Sequence, residues 1–251
     1  MDKVELLKNR LQKIGESVSQ TEGGLAFIGL GSAGEEIDRM DEYSDLDFFC
    51  VVENGYKERF IKNIDWLEKC GAVAYKFLNI VDGYKLMYED GVFCEFAVFD
   101  RNEIERQHID DGEYIWKRDD FNKNIRDKKP VVKQEIDLNW IAGEIMTNLY
   151  VGLCRFNRGE KISAFRFIQS YPVDRLMELA EKIYVEEPTY KDKYSRDRRI
   201  EKRYPEFCKR TSEFMQGVEK SKESAMAIMK FLEENVEINQ KMKEEILKLC
   251  R

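Results

Sequence analysis

Apolar residues recur every three or four positions near the start of the chain, and this spacing predicts an amphipathic helix over 3–18. The pair Gly23-Gly24 ends that helix. The unbroken apolar run over 25–30 predicts a short buried strand that closes in a Gly-Ser turn. A polar loop follows over 33–44. The pattern therefore opens with a helix, a strand and a loop.

The next part of the chain alternates between short extended and helical patterns. The pair Asp90-Gly91 is typical of a hairpin turn between two strands. The predicted elements are a strand over 45–52, a helix over 57–70, and extended segments over 72–80, 84–88 and 92–99. Together they predict a mixed sheet with flanking helices.

Beyond residue 130 the pattern changes to long helical periods. The polar segment Lys128-Lys129-Pro130 interrupts local structure, so it predicts a boundary between a first domain over 1–130 and a second over 131–251. Helices are predicted over about 136–156, 161–184, 206–235 and 238–250. The expected fold class is α+β, a mixed sheet with flanking helices followed by a C-terminal helical bundle.

The composition of the 251 residues, 43% hydrophobic and 36% charged with a net charge of −7, is typical of a folded soluble protein and a poor match for one that wraps nucleic acid. No apolar run approaches the ~18 residues that span a membrane, and no signal peptide is recognisable, so we expect a cytoplasmic protein. Six scattered cysteines and the single His108 do not predict a metal site. Trp66, Trp116 and Trp140 lie in apolar contexts and are expected in the core.

Two carboxylates stand one residue apart in the stretch DEYSDLDFFC at 41–50. Because side chains alternate along a strand, Asp45 and Asp47 are expected on one face, with Leu46 and Phe48 on the other. Neighbouring carboxylates in a poorly hydrated site repel each other unless a cation neutralises them, and Mg²⁺ prefers such oxygen ligands. The alternative is that Asp45 is a loop residue and Asp47 points to solvent.

Other polar positions strengthen the functional interpretation of this pair. Gly31-Ser32 closes the first strand, and a Gly-Ser turn can present backbone N–H groups and a hydroxyl to a phosphate. Ser44 adds a hydroxyl beside the first aspartate. Glu95 lies inside the apolar run VFCEFAVF, where a carboxylate is costly unless it contacts a metal, a partner or water. This order of motifs is more specific than any one of them.

Further candidates come from the polar segments. The stretch 193–210 is dense in bases that suit phosphate, and Arg199 and Glu201 are its candidates for contact with nucleotide and substrate. The alternative is a solvated helix whose bases pair with nearby acids. Tyr43 is a candidate for stacking on a base or sugar, and Glu160 for contact with the substrate. Each of these residues also fits a purely structural role.

The order of the motifs resembles the nucleotidyltransferase domain of the DNA polymerase β superfamily. Within it, the stretches GS…DEYSDLDFF, CEFAVFD and RFNRGEKISAF resemble the small antibiotic nucleotidyltransferases, in particular the lincosamide type with a helical C-terminal domain. The resemblance implies a nucleotidyltransferase domain over 1–130, a helical substrate-binding domain over 131–251, and a homodimer. The implied reaction moves AMP from a nucleoside triphosphate to a hydroxyl of a small molecule, such as a lincosamide antibiotic, and releases pyrophosphate.

The resemblance also implies a role for each motif. Asp45 and Asp47 would hold the Mg²⁺ that bridges the triphosphate, and Gly31 and Ser32 would contact its β and γ phosphates. Glu95 would complete the metal-binding carboxylate set and act as general base on the acceptor hydroxyl. Ser44 and Arg199 would bind the nucleotide. The acceptor would be contacted by Tyr43, Glu160 and Glu201.

Three other functions fit the same residues. Residues 1–130 carry 28 acidic and 19 basic side chains, which suits a positively charged aminoglycoside as acceptor. A protein-modifying or antitoxin-type nucleotidyltransferase would act through a protein partner, although the large helical half argues against the very small antitoxin type. A binding protein on a decayed catalytic fold would have lost part of the carboxylate set, which is intact in this sequence.

Overall fold

The chain divides into two compact units, Met1–Val131 and Val132–Arg251, and each has its own hydrophobic core. The computed structural model describes residues 2–107, 109, 112–125, 137–192 and 195–251. Three features named from the sequence lie outside these described residues, namely His108, the segment Lys128-Lys129-Pro130, and Lys193.

The first unit is built around one mixed sheet. In its described part, six strands pair in the order β3-β4-β5-β2-β1-β6. The strands are β1 (Gly24–Leu30), β2 (Leu46–Val52), β3 (Val73–Ile80), β4 (Gly83–Tyr88), β5 (Phe93–Asp100) and β6 (Gly112–Lys117). Strands β2 and β5 run parallel, and the other neighbouring strands run antiparallel.

Apolar layers lie on both faces of this sheet. The described helices of the unit are α1 (Lys3–Gln20), α2 (Lys57–Lys62), α3 (Asp65–Glu68) and α4 (Arg101–Arg106). The larger layer joins Leu11 of α1 and Trp66 of α3 to Phe48 of the sheet, whereas the smaller layer on the other face includes Ile28 and Val51. The face with the smaller layer leaves polar side chains accessible at the start of β2.

The predicted strands and the first helix of this unit are present, with ends within two residues of the expected positions. The helix expected over 57–70 instead forms α2 and α3. Asn63 between them has an extended backbone, and its side chain accepts the N–H of Asp65 at 3.1 Å, which starts the second helix anew. Strand β6 is not among the predicted strands, because its six residues follow a polar segment. Among the described strands it lies at the sheet edge and pairs with β1.

The second unit is helical in its described part, so the predicted α+β class with a C-terminal helical region is confirmed. Its helices are α5 (Leu138–Asn157), α6 (Lys161–Phe165), α7 (Tyr171–Ile183), α8 (Ile200–Arg203), α9 (Pro205–Cys208), α10 (Thr211–Phe214), α11 (Ser221–Asn235) and α12 (Gln240–Leu249). A π-helical turn, Arg166–Ser170, joins α6 to α7, next to Pro172, which has no N–H to donate. None of the described helices is both long enough and apolar enough to cross a membrane.

The helix expected over 206–235 is broken into α9, α10 and α11. The break contains Gly217 with a φ of 95°, a conformation that favours glycine. The buried side chain of Gln169 donates to the Gly217 carbonyl at 2.8 Å and accepts the Gly217 N–H at 2.9 Å. A contact across 48 residues therefore holds the break in place.

The core prediction for the tryptophans is wrong at one position. Trp66 is buried and Trp116 is partly buried, but Trp140 on α5 is 52% exposed. The neighbouring Ile141 and Ala142 occupy the buried side of α5 instead, so the ring of Trp140 is left at the surface.

Candidate active site

Asp45 and Asp47 lie at the N-terminal end of β2. Asp45 is the last residue of the preceding loop, and Asp47 is the second residue of the strand. Leu46 and Phe48 are buried in the larger apolar layer, whereas Asp45 and Asp47 are partly exposed. This alternation is the one that the sequence predicts, and it directs the two carboxylates to the sheet face opposite the larger layer.

Glu95 lies beside Asp47 on the neighbouring strand. The parallel register of β2 and β5 sets Asp47 against Glu95 and Phe48 against Phe96. Because paired residues share a face of the sheet, the two carboxylates stand side by side. On the opposite face the rings of Phe48 and Phe96 stack with 5.1 Å between their centroids. The carboxylate that the sequence placed on a later strand is therefore on the strand directly next to β2.

Two polar side chains contact Glu95. The Nζ of Lys85 lies 3.1 Å from Glu95 Oε2, and the Nδ2 of Asn79 donates to Oε1 at 3.3 Å. Lys85 pairs with Glu95 across β4 and β5, so Lys85, Glu95 and Asp47 form a row across three strands. The Lys85 and Glu95 side chains are 40% and 42% exposed, so water screens this ion pair and keeps it exchangeable.

Lys85 was missed in the sequence, although a signal for it was present. The predicted hairpin turn at Asp90-Gly91 joins β4 to β5. Counting outward from Asp90 along both strands brings Lys85 opposite Glu95, which is the register that the structure has. The position of the hairpin turn therefore specifies the basic partner of the carboxylate inside the apolar strand.

Cys94 lies next to Glu95 in the sequence but is buried in the larger apolar layer. Burial raises the pKa of the Cys94 thiol far above its ordinary value, and the negative charges of Asp47 and Asp45 raise it further. The thiol therefore stays protonated near neutral pH and behaves as a core residue.

The Gly-Ser motif forms a single 3-10 turn, Gly31–Ala33, that directly follows β1 and packs against β2. Gly31 has a φ of 50°, in the left-handed region that favours glycine. The turn folds back so closely that a Cβ on Gly29 would lie 1.8 Å from the Ala33 carbonyl oxygen. Ser32 is buried in this turn. The two glycines thus hold the turn against the strand that carries Asp47.

The loop before Asp45 ends in a tight turn. The Ser44 hydroxyl donates to Asp41 Oδ1 at 3.2 Å and accepts the Asp41 backbone N–H at 3.0 Å. The hydroxyl predicted to bind nucleotide is therefore engaged within its own turn. Tyr43, the candidate stacking residue, is 86% exposed in the same turn.

Arg199 lies in the helical unit just before α8. Its φ of 62° is the only positive value at a non-glycine residue in the described chain. Its Nε donates to the Tyr190 carbonyl at 3.0 Å, and its Nη2 lies 3.6 Å from Asp192 Oδ2. Nearby Arg196 pairs with Glu178 at 2.6 Å. These contacts are of the kind expected in the structural alternative, in which the bases of this segment pair with nearby acids.

Glu160 and Glu201 also lie in the helical unit. Glu160 accepts a hydrogen bond from Arg158 Nε at 3.0 Å, directly after Gly159, whose φ of 86° ends α5. Glu201 is exposed in the first turn of α8. Their predicted roles in substrate binding stay predictions.

Asp45 and Asp47 offer carboxylate oxygens near one sheet face, and these are the ligands that a hard divalent cation such as Mg²⁺ prefers. The described residues, however, contain no group of three or more His, Cys, Asp or Glu side chains gathered closely enough to hold a metal ion. Glu95 already contacts Lys85 and Asn79, so a cation at this carboxylate would compete with these partners. The set of Asp45, Asp47 and Glu95 stays a prediction.

The sequence matches neither a protein-family model nor a curated protein. The structure is similar to an aminoglycoside 6-adenyltransferase from Bacillus subtilis, with 12% identity, 96% of this chain and 90% of that chain covered, and a TM-score of 0.33. A nucleotidyltransferase-like protein from Exiguobacterium sibiricum shares 11% identity over 96% of this chain and 79% of its own, with a TM-score of 0.33. A STING-associated CdnE c-di-GMP synthase from Capnocytophaga granulosa shares 12% identity over 98% of this chain and 79% of its own, with a TM-score of 0.30.

Proposed function

We propose that this protein is a Mg²⁺-dependent nucleotidyltransferase, which moves AMP from ATP to a hydroxyl of a small molecule and releases pyrophosphate. The observation that carries the proposal is the pairing of Asp47 with Glu95 on adjacent parallel strands, on a partly exposed sheet face. Asp45 lies two residues before Asp47, and the Gly31–Ala33 turn packs against the same strand. Carboxylates that can hold a cation, beside a glycine-containing turn that can present backbone N–H groups, suit phosphate chemistry.

The proposed reaction needs in-line attack of the acceptor oxygen on the α-phosphorus while pyrophosphate leaves. Asp45 and Asp47 would hold the cation, which when bound neutralises charge on the attacking and leaving oxygens. The backbone at Gly31 and Ser32 would bind the terminal phosphates through its N–H groups. Most of the remaining acceleration would come from holding nucleotide and acceptor in line.

Glu95 is the proposed general base. Its carboxylate would take the proton from the acceptor hydroxyl as the new P–O bond forms and the bond to pyrophosphate breaks. Lys85 and Asn79 hold this carboxylate in the resting protein. Lys85 is thus proposed to compete with the divalent cation for Glu95.

The Lys85→Met variant tests this competition. It keeps the apolar stem of the side chain but removes the charge, so we expect Mn²⁺, used in place of Mg²⁺, to bind about two- to fivefold more tightly. Free Mn²⁺ is followed by electron paramagnetic resonance during titration. Lys76→Met is the matched control, since Lys76 lies on β3 and faces Glu68 at 3.8 Å. Unchanged or weaker binding in Lys85→Met would contradict the proposed competition between Lys85 and the cation for Glu95.

The proposed acceptor is a lincosamide-type antibiotic, as the resemblance of the sequence motifs implies. Ser44 and Arg199 are proposed to bind the nucleotide, as the resemblance implies. Tyr43, Glu160 and Glu201 are proposed to bind the acceptor. A homodimer is likewise proposed from the resemblance.

A turnover assay tests the proposed function. The purified protein is incubated with Mg²⁺, each nucleoside triphosphate in turn, and a panel of lincosamides and aminoglycosides. We expect pyrophosphate release with ATP and a lincosamide, and a product heavier than the acceptor by one AMP group in mass spectrometry. Turnover with aminoglycosides alone would replace the proposed acceptor class. No pyrophosphate release with any acceptor of the panel, together with no shift in melting temperature on adding any nucleotide, would refute the proposed antibiotic nucleotidyl transfer.

A further inference from the structure

A cleft of about 310 Å³ opens between α5 and the first turn of α7, within the helical unit. Its lining residues are Trp140, Glu144, Asn148, Tyr171, Asp174 and Arg175. The three from α5 are spaced four apart, so they lie along one side of that helix. A cleft of this volume is large enough for a small organic molecule.

Aromatic rings form part of the cleft wall. Trp140 is 52% exposed and Tyr171 is 42% exposed, which is unusual for rings of this size. The guanidinium carbon of Arg175 lies 5.5 Å from the centroid of the Trp140 ring, so this indole already contacts one cation. Glu178 Oε1 lies 2.9 Å from Arg175 Nη1 and 2.6 Å from Arg196 Nη1, so this one carboxylate is shared by two arginines. The salt bridge of Arg175 is thus made to Glu178 and not to the two acids that line the cleft.

Those acids are Glu144 and Asp174. Neither side-chain carboxylate forms a salt bridge or a hydrogen bond with another residue of the described chain. Partial desolvation raises the pKa of the Asp174 carboxyl group, and the nearby charge of Arg175 opposes this rise. Asp174 stays exposed at the mouth of the cleft, so a ligand can reach it. Two carboxylates that make no salt bridge of their own in the described chain, beside two exposed rings, favour a cationic ligand with an apolar body.

We propose that this cleft binds a ring-bearing organic amine. The ring of the ligand packs against Trp140 and Tyr171, and its ammonium group pairs with Glu144 and Asp174. The apolar contact supplies buried area, and the charge-assisted hydrogen bonds select an amine over a neutral molecule of the same shape. The proposed amine site is independent of the proposed nucleotidyl transfer, because none of the residues that line the cleft has a role in that reaction.

Calorimetric titration of the full chain, without nucleotide or metal, tests this site. The probe is 2-phenylethylamine, and 2-phenylethanol is its neutral counterpart of nearly the same shape. We expect the amine to bind at least about tenfold more tightly than the alcohol. Glu144→Gln and Asp174→Asn should each weaken amine binding by about tenfold, whereas Glu237→Gln, at an exposed acid elsewhere in the unit, should not.

Fluorescence adds a second readout, since amine binding should quench the exposed Trp140 and this response should vanish in Trp140→Leu. Circular dichroism is used to check that each variant is folded. Equal affinity for amine and alcohol, unchanged amine binding in both carboxylate variants, or no binding at millimolar amine would each overturn the proposal. Failure of the pyrophosphate assay leaves these results unaffected, so the two proposals fail independently.

Discussion

Asp47→Asn is expected to lower nucleotidyl transfer by about two to three orders of magnitude while leaving the fold intact. Asparagine has nearly the same shape as aspartate, but it cannot supply the negative charge that holds the cation. The loss of transition-state stabilisation should be on the order of 3–4 kcal/mol, which lowers kcat/KM by about 100- to 1000-fold. Asp47 is partly exposed and lies outside the core clusters, so the melting temperature should change little.

The control for Asp47→Asn is Glu42→Gln, which neutralises an exposed acid in the turn just before Asp45. Pyrophosphate release should fall in the first variant only. Thermal unfolding of both proteins shows whether either change affects the fold. Full activity in a folded Asp47→Asn protein would show that the cation, or the whole reaction, depends on other residues.

Phe96→Ala should have the largest effect on stability, because Phe96 is the centre of the aromatic cluster behind the site. Its ring lies 5.1 Å from Phe48, 5.4 Å from Trp66 and 6.0 Å from Tyr84, measured between centroids. Truncating a buried phenylalanine removes these contacts and leaves a cavity, which costs about 3–5 kcal/mol in the free energy of unfolding. Urea denaturation measures this loss.

Phe77→Ala is the matched control for Phe96→Ala. Phe77 is a phenylalanine of the same sheet, but it lies on edge strand β3 and is 52% exposed. Its truncation should change the free energy of unfolding by about 0.5 kcal/mol or less. Similar losses in the two variants would contradict the position of Phe96 at the centre of the core beneath β2 and β5.

Local features of the site could be predicted from the sequence because they depend on neighbouring residues. The alternation of Asp45 and Asp47 with Leu46 and Phe48 follows from the geometry of any strand. The Gly-Ser turn after β1 follows from the conformational freedom of Gly31. Both depend on a few consecutive residues, and both are present in the structure.

Pairing between distant segments could not be predicted in the same way. The register that sets Asp47 beside Glu95 joins strands separated by 40 residues of intervening chain, and no local pattern specifies that β5 lies next to β2. The ion pair of Lys85 with Glu95 is the intermediate case. It follows from the hairpin turn at Asp90-Gly91, but only when both strands are counted outward from that turn.

The helical unit shows the same limit. Periodicity over 206–235 predicts one long helix, because the spacing of apolar residues continues through the break. The contact of Gln169 with Gly217 decides the outcome, and it joins residues far apart in the chain. The exposure of Trp140 likewise depends on which side of α5 packs into the core. The cleft beside Trp140 therefore had no signal in the sequence.

The most direct test of the central claim is the affinity of Mn²⁺ for the wild-type protein and for the Asp45→Asn and Asp47→Asn variants, measured with a non-hydrolysable ATP analogue. If these two carboxylates hold the cation, each variant should bind Mn²⁺ at least about tenfold more weakly, while Glu42→Gln should match the wild type. Equal Mn²⁺ affinity in the wild type and in both asparagine variants would contradict the metal assignment, and with it the proposed nucleotidyl transfer.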